Sequence, residues 1–381
     1  MALAQRPAEE QAGTGAEPQR GRSLWDDAWA RLKANRAAVA SAALLALMLL
    51  ACVVGPWLSP HPFDAVYRSY VKVPASLAPY PRAEQIGPSL ESALRRARVS
   101  VEDWREEGGR VFVTVTSGRA IDPRTTRYLD RANDFSDTRV EETSEDGKRM
   151  VFSAEVERLY FLFGTDANGR DLLTRTLIAG RISLTIGLLA TLVALFIGVT
   201  YGAVSGYLGG RVDTMMMRMV DILYSLPFIF FVILLVVFFG RNFVLMFIAV
   251  GAIEWLDMAR IVRGQTLSIK RQEYVQAAEA LGVGPRGILR RHVVPNTLGP
   301  VVIYMTLMVP KVILLESFLS FLGLGVQEPM TSWGVLIAEG ARNIQGATWM
   351  LIFPSLFLMA TLFALNFIGD GLRDALDPKD R

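Results

Sequence analysis

Cysteine and histidine are almost missing. Cys52 is the one thiol in 381 residues, so no disulfide can form within the chain, and with only His61 and His292 there is no His/Cys set to hold a metal. No GxxxxGK[ST] phosphate loop occurs, so a nucleotide-driven motor has to be another polypeptide. No Ser/His/Asp or Cys/His constellation is visible, and no kinase or cyclase region follows the last apolar stretch. Charge is scarce too. Asp, Glu, Lys and Arg make up 20% of the chain with a net charge of +3, too little to argue for nucleic acid binding. What abounds is apolar surface. A hydrophobic fraction of 51% and a mean hydropathy of +0.31 exclude a disordered chain and put a polytopic membrane protein first.

Crossing a hydrocarbon core of roughly 30 Å takes about 20 mostly apolar residues in a helix. Six stretches qualify: 37–58, 182–205, 222–239, 243–262, 298–318 and 348–368. The fourth carries Glu254, Asp257 and Arg260, and the fifth is interrupted by Pro310, Lys311 and Glu316. The first begins well inside the chain and is too long for a signal-peptide core, so it reads as an anchor. The expected architecture is an all-α polytopic membrane protein of six transmembrane helices, with a small β-containing external insertion between the first and second.

Basic residues set the orientation. Arg20, Arg22, Arg31, Lys33 and Arg36 precede the first span, and Arg260, Arg263, Lys270, Arg271, Arg286, Arg290 and Arg291 cluster after the fourth. Both termini and the 205–221 and 263–297 loops are therefore expected in the cytoplasm. Residues 1–22, rich in Ala, Gln, Glu, Gly, Pro and Arg, read as a disordered tail. Residues 23–36 read as an amphipathic helix capped by Ser23, with Trp25, Trp29 and Leu32 meeting membrane lipid at the inner surface.

Residues 59–163 break the membrane pattern with 16 Lys+Arg and 17 Asp+Glu, as in a water-exposed domain. Alternation over 110–116 (Val111, Val113, Val115) and 150–156 predicts strands. Two readings stay open: an elaborated loop, or a contact for a substrate-delivering partner.

The stretch Glu273–Asn296 carries most information. Tyr274, Ala277, Ala278 and Leu281 share a face at helical spacing, Gly282 stands where a helix ends in a left-handed turn, and Pro285 suits the first turn of a second helix ending near Pro295. A helix, sharp turn and helix beneath the membrane could cover the bundle or seat in a partner's groove.

The same loop resembles the coupling motif of permeases of binding-protein-dependent ABC importers: E-A-A, three residues, G, nine residues, I-x-L-P. Here Gln276, Ala277 and Ala278 are followed by Gly282 and then His292, Val293, Val294 and Pro295, with Gln276, His292 and Val294 departing from the motif. The form Arg291, His292, Pro295, Asn296 is similar to the dipeptide, oligopeptide and nickel branch. The resemblance runs from about 163 to 378 and includes Gly164–Asp171, Arg181 to Ser183, Gly206 to Gly210 with Asp213, Leu319 to Gly325, Ser332 to Gly334 and Gly369 to Arg373. The segment before Phe163 is longer than that branch leads one to expect.

The resemblance implies a bacterial inner-membrane permease domain over 164–376, working by alternating access. A second, similar permease would complete the pathway, a periplasmic solute-binding protein would deliver peptides or a related small solute, and two ATPase chains would bind ATP and Mg. This chain would need no cofactor or metal. Tyr274, Gln276, Ala277, Ala278, Glu279, Gly282, Pro285, Arg290, Arg291, His292, Pro295 and Asn296 would form the ATPase-coupling loop.

Gly164, Thr165, Asp166, Gly169, Arg170 and Asp171 read as an external elbow before the second span, structural or gating. By helix rise, Glu254 lies about 16 Å from the outer edge of its span and Lys311 about 20 Å from the inner edge of the next, so their depths differ by roughly 6 Å. They could pair across helices and face the pathway, or snorkel to water. Competing functions are a stand-alone secondary carrier or channel, which would show paired repeats, and a membrane enzyme or sensor, for which no site is visible.

Overall fold

The computed structural model describes residues 24–240 and 243–376. The expected tail 1–22, Ser23 and the Trp25 side chain lie outside the described residues. α1 (Leu24–Ala34) is parted from α2 (Arg36–Leu58) by Asn35, whose Oδ1 accepts from the Ala37 and Ala38 N–H groups. That cap satisfies two of the four free donors in the first turn of α2. α1 packs on α2 and on the C-terminal helix, leaving Trp29 58% exposed.

The charged segment folds on its own core. α3 (Ala83–Arg95) presents Ile86, Leu90 and Leu94 as one stripe, each fully buried, against a sheet built from β1 (Ser100–Glu107), β2 (Arg110–Thr116), β3 (Phe135–Thr143) and β4 (Arg149–Val156). The single-turn α4 (Arg127–Asp130) packs beside α3 and β3. Strand order is β1-β2-β4-β3, all antiparallel. Val111, Val113 and Val115 of β2 and Met150, Phe152 and Ala154 of β4 point into the core, the period-2 pattern of a half-buried strand. β1 and β3 are the edges, and their many charges blunt further pairing while erasing the alternation that would reveal them.

An aromatic knot joins this module to the helices. His61 is buried, stacked on Phe161 and hydrogen-bonded through Nδ1 to the Tyr67 hydroxyl and through Nε2 to the Tyr160 carbonyl, each at 3.0 Å. Tyr70, Tyr80 and Phe161 complete it.

The helical part follows: α5 (Leu172–Leu208), α6 (Gly210–Ser225), α7 (Phe228–Phe239), α8 (Phe243–Ile269), α9 (Glu273–Ala280), α10 (Pro285–Ile288), α11 (Val294–Phe321), α12 (Trp333–Arg342) and α13 (Trp349–Leu376). α5 and α8 touch along small residues. A Cβ on Gly202 would collide with the Ala259 carbonyl oxygen, and one on Gly198 with Met258. Small residues let two backbones approach where lipid supplies no hydrophobic drive.

Among the described residues, four helical stretches are long and apolar enough to cross a membrane: α2, α5, 285–321 and α13. α6 and α7, bent by 83° at their break, make a fifth if the pair is counted as one span. Several expected boundaries move. The 182–205 span is only the middle of α5. The 222–239 span is not one helix, because Pro227 forces Leu226 into an extended conformation (ψ 129°) and splits α6 from α7. The 298–318 span begins far earlier, as α10 passes through a π-turn at Leu289–Val293 straight into α11. Its wider i→i+5 bonding carries the helix past Pro295, so no break falls there. α8 also runs on to Ile269, which leaves much of 263–297 helical. α12 has no counterpart among the six expected spans.

Candidate functional site

The bent element beneath α8 is built by local rules. α9 ends in a Schellman pattern: the Gly282 N–H donates to the Glu279 carbonyl (2.9 Å), and the Val283 N–H to the Ala278 carbonyl (3.1 Å). Gly282 takes φ +83°, where a side chain is strained, and Pro285 opens α10 at a position that needs no N–H. Val275, Ala278, Ile288 and Val293 bury against the bundle. The Tyr207 hydroxyl donates to Glu279 (2.9 Å) and Lys270 Nζ to the Tyr207 carbonyl (2.6 Å), pinning α9 to the end of α5.

The face foreseen for α9 divides. Ala278 turns inward with Val275, while Tyr274, Ala277 and Leu281 point out, Leu281 at 85% exposure. Positions three and four apart form two neighbouring stripes, and the bundle takes the one centred on Val275. Gln276, Glu279, Gly282, Pro285, Arg290, Arg291, Pro295 and Asn296 are exposed. His292 is half-buried, its ring 6.3 Å from that of Tyr274, and its carbonyl accepts from Asn296 Nδ2.

Lys311 reaches two carboxylates on α8: Nζ lies 2.8 Å from Glu254 Oε2 and 3.1 Å from Asp257 Oδ2. The three line a cavity of about 530 Å³ together with Leu226, Pro227, Phe228 and Phe231 from the α6–α7 break. Asp257 had registered only as a charge within a span. Its place three residues after Glu254, on the same helix face, was the available signal.

The elbow is a tight polar turn. Asp166 accepts from the backbone N–H groups of Asn168 (2.8 Å) and Arg170 (2.9 Å) and from Arg170 Nε (2.7 Å), while Arg175 Nε stands 3.3 Å away. Thr165 accepts from the Val73 N–H, and Gly164 and Gly169 take positive φ against the backbones of Val73 and Tyr67. Asp171 caps α5, accepting from the N–H and hydroxyl of Thr174, both at 2.7 Å. Burial pushes its carboxyl above the ordinary aspartate value, with the Thr174 donors and the nearby His61 pulling it down. Arg170 also reaches Glu328 (2.9 Å), tying the elbow to the segment before α12.

Two further constellations went unforeseen. Glu316 is fully buried, with the Ser320 hydroxyl on Oε1 (2.7 Å) and the Ser183 hydroxyl near Oε2 (3.3 Å). Ser183 in turn accepts from the Trp333 N–H (3.1 Å), fixing the start of α12. Asp213 on α6 is clasped by Arg263 of α8 and by the Ser205 hydroxyl. A serine four residues after Glu316 was legible; the Asp213 pairing, fifty residues long, was not. Among the described residues no group of acidic, histidine or cysteine side chains could hold a metal ion.

Residues 198–381 match the family model described as the binding-protein-dependent transport system inner membrane component, and residues 23–85 that of the N-terminal TM domain of oligopeptide transport permease C. The oligopeptide transport system permease protein OppC of Haemophilus influenzae is 44% identical over 361 residues, covering 95% of this chain and 90% of its own. Its Escherichia coli K12 counterpart is 45% identical over the same length, covering 95% and 93%. The chain belongs to this family. The permease is thus a multi-pass membrane subunit of an ATP-driven importer and not an enzyme, and its family implies ATPase and substrate-binding partners. With 95% of the chain aligned, the long segment before Phe163 is shared with these relatives rather than peculiar to this permease. Among solved structures, a chain of the MetNI methionine ABC transporter in an inward-facing form superposes with a TM-score of 0.45 at 18% identity, covering 54% of this chain and 96% of its own.

Proposed function

We propose that the permease forms half of a pathway for peptides, completed by a second, similar permease, and that α9, Gly282 and α10 seat in a groove of one of two ATPase chains. The observation that carries this reading is the outward stripe of Tyr274, Ala277 and Leu281, set on a rigid glycine-turned corner with Arg290 and Arg291 exposed beyond it. Among the described residues Ala277 and Leu281 stand open and Tyr274 meets only the His292 ring, while Val275 is buried in the bundle core and Glu279 is tied to Tyr207 at the end of α5. A corner held on one side and bare on the other can pass force between bundle and partner. It can bias alternating access only by contacting the partner differently in the two states.

The peptide reading is supported by the names of the relatives above. ATP and Mg²⁺ belong to the ATPase chains, and a periplasmic solute-binding protein delivers the peptide. Counting α8 as a span despite its charges gives six: α2, α5, bent α6–α7, α8, the α10–α11 run and α13. An even count would put both termini on one side, and the basic residues flanking α2 and following α8 favour the cytoplasm of a bacterium for it, with the β module on the far side of the inner membrane and α1 lying in the lipid headgroups through Trp29. The elbow Gly164–Asp171 is a structural tie on the outer side.

The test is reconstitution. The permease, co-purified with its partner chains and placed in vesicles with ATP at the ATPases, takes up a labelled tripeptide when loaded binding protein is supplied. A cysteine at Leu281 cross-links to an ATPase chain. Absence of peptide uptake overturns the substrate; absence of the cross-link overturns the docking face.

A further inference from the structure

The cavity beside the α6–α7 break is not charge-balanced. Glu254 and Asp257 stand three apart on one face of α8, and Lys311 is the ammonium they share. The next basic side chain on α8, Arg260, is engaged elsewhere, 2.8 Å from Asp221 and over the Tyr224 ring. By formal charge the described lining sets two carboxylates against one ammonium. An unmatched charge at membrane depth costs several kcal/mol and marks a pathway or ligand position.

We propose that this cavity is a subsite for the terminal ammonium of a peptide in transit, with Asp257 as the receiving carboxylate; the inference rests on the peptide reading above. Access divides the two acids. The Glu254 side chain is 5% exposed and Asp257 25%, so Lys311 holds the deeper acid and an incoming cation meets the shallower one. The volume, about 530 Å³, falls in the range of small-molecule sites. Leu226, Phe228, Phe231 and Leu315 supply apolar wall for a side chain without demanding a particular one. The C-terminal end of α6 and the N-terminal end of α7 both border the cavity; their opposite dipole ends offset each other and leave the acid pair to set the sign.

The test uses the purified importer complex in nanodiscs without binding protein, measuring equilibrium binding of labelled trialanine and of its Nα-acetyl form. The expected result is binding of the free amine at least about tenfold tighter, as for one hydrogen bond between charged groups. Asp257→Asn should abolish the preference. Equal affinity for both forms, binding of neither, or an undiminished preference in Asp257→Asn overturns the subsite. Acetylation alters only the ligand, so the first comparison does not depend on a variant folding. ATP-dependent uptake of trialanine is run in parallel: no uptake overturns the peptide reading itself, whereas uptake without amine preference in binding overturns the subsite alone.

Discussion

Arg263 lays two guanidinium donors on the Asp213 carboxylate, Nε at 2.5 Å and Nη2 at 2.6 Å, so the first turn of α6 is fastened to α8 by a bidentate pair. Ser205 at the end of α5 adds a third donor to the same carboxylate (2.6 Å). Three helices therefore meet at one anion, next to the chain reversal at Gly209. Planar two-point pairing is geometry that lysine cannot reproduce. Replacing Asp213 with asparagine should lower complex stability by on the order of 2 kcal/mol, because it strands a partly desolvated guanidinium. A double-mutant cycle with Arg263→Gln should return a coupling energy above about 1 kcal/mol in thermal unfolding of the purified complex; additive effects would show that the pair is ornamental.

Glu316 poses a different problem, a carboxyl in the middle of packed helices with hydroxyl partners at both oxygens. Its service is to hold Ser320 and Ser183, and through Ser183 the start of α12. A glutamine can fill that role, since its carbonyl accepts and its amide donates to serine oxygens. Glu316→Gln should yield monodisperse complex at near normal levels. Glu316→Leu takes the carboxylate acceptor from two buried hydroxyl donors, at about 1–3 kcal/mol each, and should lose it. Equal yields from the two variants would remove the network from the account.

Asp171 gives a pH signature. Burial raises its carboxyl above the ordinary 3.8, so the folded chain favours the protonated acid. Stability from this group is complete below the ordinary value and declines as pH rises through the raised one. Asparagine caps helices as well as aspartate but does not titrate. The melting temperature of the native complex relative to Asp171→Asn should therefore rise on going from pH 7 towards pH 4, while Asp171→Ala should cost about 1 kcal/mol of cap. A gap that widens in the opposite sense would contradict the burial assignment.

The corner at Gly282 was the most legible part of the sequence because its signals are local: a glycine after the last helical turn and a proline three residues further on set the bend whatever the rest of the chain does. β2 and β4 were legible for a similar reason, one buried face apiece. β1 and β3 were not, since an edge strand with solvent on both sides, such as Ser100–Glu107, loses its alternation. The split at Pro227 was hidden inside an apolar run, which records burial in lipid and says little about direction. Lys311 and Glu254 were readable as a pair from depth alone, but Asp257 as the second partner depends on how α8 rotates about its axis. That rotation is set by Gly198 and Gly202 of α5 packing on Met258 and Ala259, contacts far off in sequence.

The proposed docking of α9 and α10 turns on the corner at Gly282, held at φ +83°. Among the described residues nothing stands within 4 Å of where its Cβ would be, so a substitution there acts through backbone strain and not through a clash. The decisive measurement is ATP-driven uptake set against ATP hydrolysis for Gly282→Val in reconstituted vesicles. The expected result is an assembled complex that hydrolyses ATP while uptake per ATP falls by about tenfold or more, the corner no longer meeting its groove. Normal uptake with normal assembly would contradict it.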